Sequence, residues 1–340
     1  MDLDVEQPAP EKTAIRSFQA DVPEAELAEL RRRISQTRWP ERKTVTDQSH
    51  GVPLELLHEL ARYWVTEYDW RWGEAKLNAL PQFVTEIDGL DIHFVHISSM
   101  HENALPLIVS HGWPGSVIEQ LRIVDPLINP TEHGASAAQA FDLVIPSLPG
   151  HGFSGTPTGS GWGPARIARA WVVLMKRLGY TRFVAQGADW AALVTEQMRV
   201  QAPPELLGVH SKHTPQVLAS CSQALTVSAD SPIDLAAFLL EQDARRLQLS
   251  SRAFAGGSEG LTRDDVLDNI TLYWLTNTAL SAARLRRDTR AEGACPRLAQ
   301  SNALAEGGLF APWEQPEVFA RELRAAFESL RPAASLGARE

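Results

Sequence analysis

The chain has 340 residues, a formal charge of −10, 44% hydrophobic and 22% charged residues, and two cysteines. That size and composition fit one large α/β domain with an appended lid, or two ordinary domains, around a packed core. The acidic balance argues against a nucleic-acid partner, which wants a basic face, and Cys221 with Cys295 cannot make a disulfide framework. The first 16 residues lack the apolar stretch of a signal peptide, and no apolar run approaches the ~20 residues that span a bilayer. A soluble cytoplasmic protein without a membrane span is expected.

In chain order, Asp21 and Pro23 open a helix on which Leu27, Leu30 and Ile34 recur at helical spacing. A second helix is expected over 54–64, with Leu56, Leu57, Leu60 and Tyr63. Trp70 and Trp72 are expected to pack these helices onto the main body. From Gln82 the period changes. Residues 83–87 and 92–97 read as strands joined by the turn Asp88-Gly89. The apolar runs 105–109, 141–145 and 182–185 read as buried parallel strands, with one more strand at 206–210. Helices are expected over 167–178 and 190–200. This alternation means a mostly parallel sheet with helices on both faces. Residues 215–282 read as mainly helical, with helices at 235–240 and 266–280, forming a lid. The stretch 285–306 has no Val, Ile, Phe, Tyr or Trp, so no buried strand can be written there. A last helix, 316–330, places Phe319, Leu323, Phe327 and Leu330 on one face.

Two motifs carry chemistry. Gly187-Ala188-Asp189-Trp190-Ala191 stands between a strand and a helix, with small residues two before and two after Asp189, as a nucleophile elbow requires. Alone, it reads more readily as an Asp capping a helix. His111-Gly112-Trp113-Pro114-Gly115, directly after the strand ending at Ser110, changes that balance. A loop there supplies one backbone N–H of an oxyanion hole, and the residue after the nucleophile supplies the other. Those donors are Trp113 and Trp190. Pro149-Gly150-His151-Gly152-Phe153-Ser154 follows the next strand and would line the same mouth.

With these motifs the chain resembles the microsomal-type epoxide hydrolases of the α/β-hydrolase superfamily, N-terminal extension included. The likeness covers about 15–283 and 307–331. Its further carriers are Thr37-Arg38-Trp39-Pro40, Tyr68-Asp69-Trp70-Arg71, the run from Leu77 through Pro81 to Phe83, Ile87-Asp88-Gly89, Asp230-Ser231-Pro232 and Leu272-Tyr273-Trp274. The resemblance implies an N-terminal helical extension (14–81), a hydrolase core (82–214), a helical lid (215–283) and a shortened C-terminal part of the core (284–340). It also implies that Asp189 attacks an epoxide carbon to form an ester, which water then hydrolyses to a diol. His111, Gly112, Pro114, Phe153 and Tyr273 are the candidate pocket residues. The partners implied are a small apolar epoxide and water; no cofactor or metal is needed, and a homodimer stays open. The chemistry agrees: a carboxylate is ionised at neutral pH without help from a base and suits attack on saturated carbon.

The second half of that mechanism is missing from the sequence. No histidine follows His213, and where the resemblance calls for Gly-Gly-His-Phe the chain reads Gly307-Gly308-Leu309-Phe310. Glu292 and Glu306 lie near the expected acid but follow no strand, and neither is assigned. The resemblance's lid tyrosines would fall near Ser220 and Arg286, leaving Tyr273. His151 and His213 sit at the right end of the sheet without a claim to the base. Alternatives are a catalytically inactive derivative that binds a ligand or partner, or the product of a gene damaged within 285–306. Ester cleavage fits an elbow Asp poorly, and halide displacement fits the N-terminal extension poorly.

Overall fold

A computed structural model of the protein describes residues 13–39, 51–212, 230–257, 260–291 and 311–331. The N-terminal part contains β1 (Arg16–Phe18), α1 (Glu24–Ser35), α2 (Leu54–Thr66) and α3 (Trp70–Asn78). Leu27, Leu30 and Ile34 are buried on α1, as their spacing predicts, but the helix begins after Pro23 with no side-chain cap, so Asp21 does not cap it. Trp70 is buried, whereas Trp72 is 72% exposed and packs nothing onto the body. Two residues apart on a helix, the two rings cannot share a face.

The sheet follows: β2 (Gln82–Ile87), β3 (Leu90–Ile97), β4 (Leu105–Ser110), β5 (Phe141–Pro146), β6 (Phe183–Ala188) and β7 (Leu206–Lys212). Its order is β1-β2-β3-β5-β4-β6-β7. The pairings from β1 through β3 to β5 are antiparallel, and those joining β5, β4, β6 and β7 are parallel. β1 has no counterpart among the expected strands; three residues are too short to show a period. Leu107, Val109, Leu143, Val144, Ile145, Phe183 and Val184 are fully buried, which explains their unbroken apolar runs.

Helices α4 (Val124–Ile128), α5 (Pro164–Arg177) and α6 (Ala191–Gln201) pack against the strands. Then come α7 (Pro232–Glu241), α8 (Ala244–Phe254), α9 (Arg263–Leu275) and α10 (Ala279–Ala291), and finally α11 (Ala311–Glu314) and α12 (Pro316–Ala326). The single helix expected over 266–280 is therefore two. Thr276 caps α9 through bonds to Leu272 and Trp274, and Asn277 takes a left-handed φ of 52°, which ends the helix. Part of the strandless stretch, up to Ala291, is helical; the remainder, with Leu309, lies outside the described residues.

The chain passes from β4 to β5 on one side and then crosses through α5 to β6 on the other. Such a reversal opens a crevice at the carboxyl ends of the strands. The loops after Ser110, Pro146 and Ala188 all emerge there.

Candidate active site

The elbow is built as its sequence requires. Asp189 is held at φ 53°, a left-handed conformation that β-carbon crowding disfavours. Its N–H donates to the Lys212 carbonyl at 3.0 Å and its carbonyl accepts from Ala192 at 3.1 Å, fixing the turn between β6 and α6. A β-carbon on Gly187 would strike Thr195 and lie 2.5 Å from the Ala191 carbonyl, so the strand can cross the helix only as glycine. The residue at the helix cap is Trp190, not Asp189. The Asp189 side chain is thereby released toward the loop after β4.

There the Trp113 N–H donates to Asp189 Oδ2 at 2.9 Å, joining residues 76 apart in the chain. Gly112 makes this approach possible: a β-carbon on it would stand 2.8 Å from Asp189 Cβ and 3.0 Å from Oδ2. The peptide bond from Trp113 to Pro114 is cis. The backbone of Trp190 caps the start of α6, and its indole is buried.

His111 is engaged at both ring nitrogens. Its Nδ1 donates to the Gly112 carbonyl at 3.0 Å and its Nε2 accepts from the Leu148 N–H at 3.1 Å, so both ring nitrogens tie the two loops together. Burial lowers it to about 4, which keeps the ring neutral. His151 is likewise buried and lowered to about 3, first by burial and then by His111. Its Nδ1 donates to the Pro149 carbonyl, and its ring packs against His111, Trp113 and Tyr273. Phe153 packs against Phe18 and His93, on the β1 and β3 side.

Tyr273, on α9, is 1% exposed and donates to the Gly115 carbonyl at 2.7 Å. One turn earlier Asn269 donates to the Pro114 carbonyl at 3.1 Å and accepts from Ser116 Oγ at 2.7 Å. Helix α9 thus clamps the loop that carries the Trp113 donor.

Sequence reading missed a second group. A cavity of about 20 Å3 is walled by Gly112, Trp113, Asp189, Glu119, Gln120 and Gln186, with Trp313 closing it. Glu119 is buried and paired with Arg246 of α8, whose guanidinium also lies over the Trp313 ring. Burial lifts Glu119 above the usual carboxylate range, Arg246 draws it back, and the charge of Asp189 adds to the rise. The signal available was weak: a Glu-Gln pair in a mostly apolar run after Ser116 that also holds Arg122, and a Gln three residues before the elbow Asp.

Residues 15–120 match the epoxide hydrolase N-terminal family, and residues 106–292 match the alpha/beta hydrolase fold family. A Stigmatella aurantiaca protein assigned to the epoxide hydrolases is 41% identical over a match covering 93% of this chain and 86% of that protein. Epoxide hydrolase 1 of Sus scrofa is 27% identical, with 93% of this chain and 89% of that protein covered. The crystal structure of juvenile hormone epoxide hydrolase from Bombyx mori superposes with a TM-score of 0.80 at 28% identity, covering 93% of this chain and 94% of the other.

Proposed function

Because this chain belongs to the epoxide hydrolase family of the α/β-hydrolase fold, we infer that Asp189 is the nucleophile that opens an epoxide and becomes its ester. The observation that supports this most is the bond from the Trp113 N–H to Asp189 Oδ2, where two motifs distant in sequence meet at the switch point of the sheet. One carboxylate oxygen is held by that donor while the other attacks an epoxide carbon. The C–O bond of the ring breaks, and the alkoxide takes up a proton to become a hydroxyl. When water later adds to the ester carbonyl, the Trp113 N–H is in place for the oxyanion, with the N–H of Trp190 as the second donor. Trp113 and Trp313 line the cavity beside Asp189 with apolar surface, which favours a small apolar epoxide. Among the described residues no helix is long and apolar enough to cross a membrane.

We further infer that ester formation outpaces ester hydrolysis. Leu309 stands where the family's histidine is expected, and leucine cannot take a proton from water. The match to the Stigmatella aurantiaca protein runs over 380 positions, more than the 340 residues of this chain, so the relative holds internal residues that this chain lacks. Intact-mass spectrometry after incubation with styrene oxide tests both inferences. The wild type should gain the mass of one epoxide and lose it slowly, and Asp189→Asn should gain nothing. If neither an adduct nor any diol forms, Asp189 is not a nucleophile. A protein that binds epoxide equally well with Asp189→Asn, and never turns it over, is instead a catalytically inactive derivative.

A further inference from the structure

We propose that the small cavity beside Asp189 seats the water that hydrolyses the ester, with Gln186 and Gln120 orienting it and Glu119 accepting its proton. This rests on the reading of Asp189 as nucleophile and supplies what Leu309 cannot.

The cavity, about 20 Å3, exceeds the ~10–15 Å3 that admits the centre of one water molecule. Two of its walls carry unmet hydrogen-bonding demand. Gln120 Oε1, an acceptor, and Gln186 Nε2, a donor, are buried without a partner among the described residues. Gln186 is 1% exposed and Gln120 5% exposed, so bulk solvent does not satisfy them. Buried polar atoms left so are rare, and a bound water is the common remedy.

The complement fits one water. It accepts from Gln186 Nε2 and donates one hydrogen to Gln120 Oε1. Its second hydrogen is left for the Glu119 carboxylate and its second lone pair for the Asp189 carbonyl carbon, both at the cavity wall. Glu119 suits the task because it lines the cavity in a fixed pair with Arg246, and burial makes it more basic than an exposed carboxylate while Arg246 opposes that rise.

The step balances without another reactant. The water oxygen bonds to the ester carbonyl carbon as Glu119 takes its proton, and the negative charge moves to the oxygen facing the Trp113 N–H. The bond from that carbon to the substrate oxygen then breaks. The departing alkoxide takes the proton from Glu119, which completes the diol. Asp189, left as a carboxylic acid, ionises, and the proton it gives up matches the one consumed in ring opening.

The test follows single turnovers of styrene oxide by intact mass, with capture and release timed separately. Gln120→Leu and Gln186→Leu should each slow release at least tenfold more than capture, and Glu119→Gln about 100-fold more. Because Glu119→Gln removes a buried carboxylate partner of Arg246, the two Gln variants decide if that protein fails to fold. Release that keeps pace with capture in both overturns the proposal while leaving Asp189 as nucleophile. A wild-type adduct that never decays overturns it too. A wild type that captures no epoxide removes the reading beneath it instead. In a crystal structure, one ordered water should bond both Gln120 Oε1 and Gln186 Nε2, and a dry cavity is the opposing result.

Discussion

A single methyl group on Gly112 would meet Asp189 Cβ at 2.8 Å, a distance that β-carbons essentially never tolerate, and crowd the Ala188 carbonyl at 3.1 Å. The loop or the elbow must then shift, and the bond from the Trp113 N–H to Asp189 stretches with it. Gly112→Ala should therefore slow release of the ester at least tenfold, since removal of one oxyanion donor costs ~10²–10³ in the step where water adds to the carbonyl. The protein should stay folded, because the strain falls on a loop. Single-turnover mass spectrometry measures this, and an unchanged release rate would mean that the approach of the two motifs is incidental. At this scale the sequence was legible for Asp189, Gly187 and Gly112, because close backbone approach leaves a mark as glycine. For Gln186 and Gln120 it showed polar residues out of pattern but not what they do. Nothing in a Gln records whether its amide finds a partner until the fold brings its neighbours together.

At the scale of elements, α9 is held to the loop after β4 by two side chains four residues apart on one face. Tyr273 is the only tyrosine after Tyr180, so it is the obvious candidate to protonate the opening epoxide. Its hydroxyl, however, is already given to the Gly115 carbonyl. Tyr273→Phe leaves that carbonyl without this donor, which costs about 1–3 kcal/mol of stability. Capture of styrene oxide should fall less than tenfold. Chemical denaturation and capture kinetics separate the two roles: a loss of 100-fold or more in capture with stability intact would make Tyr273 the acid. Element reading from sequence worked where a period was long and unbroken, as in β4, β5, β6 and α5. It merged α9 with α10 because Thr276, Asn277 and Thr278 interrupt the apolar pattern only briefly. The break depends on a left-handed Asn277, a choice that Asn permits but does not announce.

For the whole molecule, a large interior built partly from neutral histidines has a consequence for acid stability. His93, His111 and His151 are fully buried and lowered to about 3, 4 and 3, chiefly by burial. Unfolded, each returns to about 6.5. Between those values the unfolded chain binds more protons than the folded one, so stability rises with pH there. The contribution is complete above pH 6.5 and is lost as the pH falls from 6.5 toward 4, at up to ~1.4 kcal/mol per pH unit for each ring. His133 works the other way: its bonds to Asp125 and Glu317 raise it, adding stability that is present below pH 6.5 and lost as the pH rises. Its two acidic partners are more than half exposed, so this opposing effect is small. The raised carboxylates Glu119, Asp142 and Asp268 also oppose the loss, by taking up protons more readily when folded. A melting temperature that drops between pH 6.5 and 5 is therefore expected, above the range where most carboxylates titrate. His151→Phe isolates one share, since the ring already packs among Trp113, His111 and Tyr273. Its slope of stability against pH should be shallower by about 1 kcal/mol per unit over that window. Calorimetric melts at pH 5.0, 5.5, 6.0 and 6.5 decide it: parallel slopes for wild type and His151→Phe would show that this histidine is already charged in the folded protein.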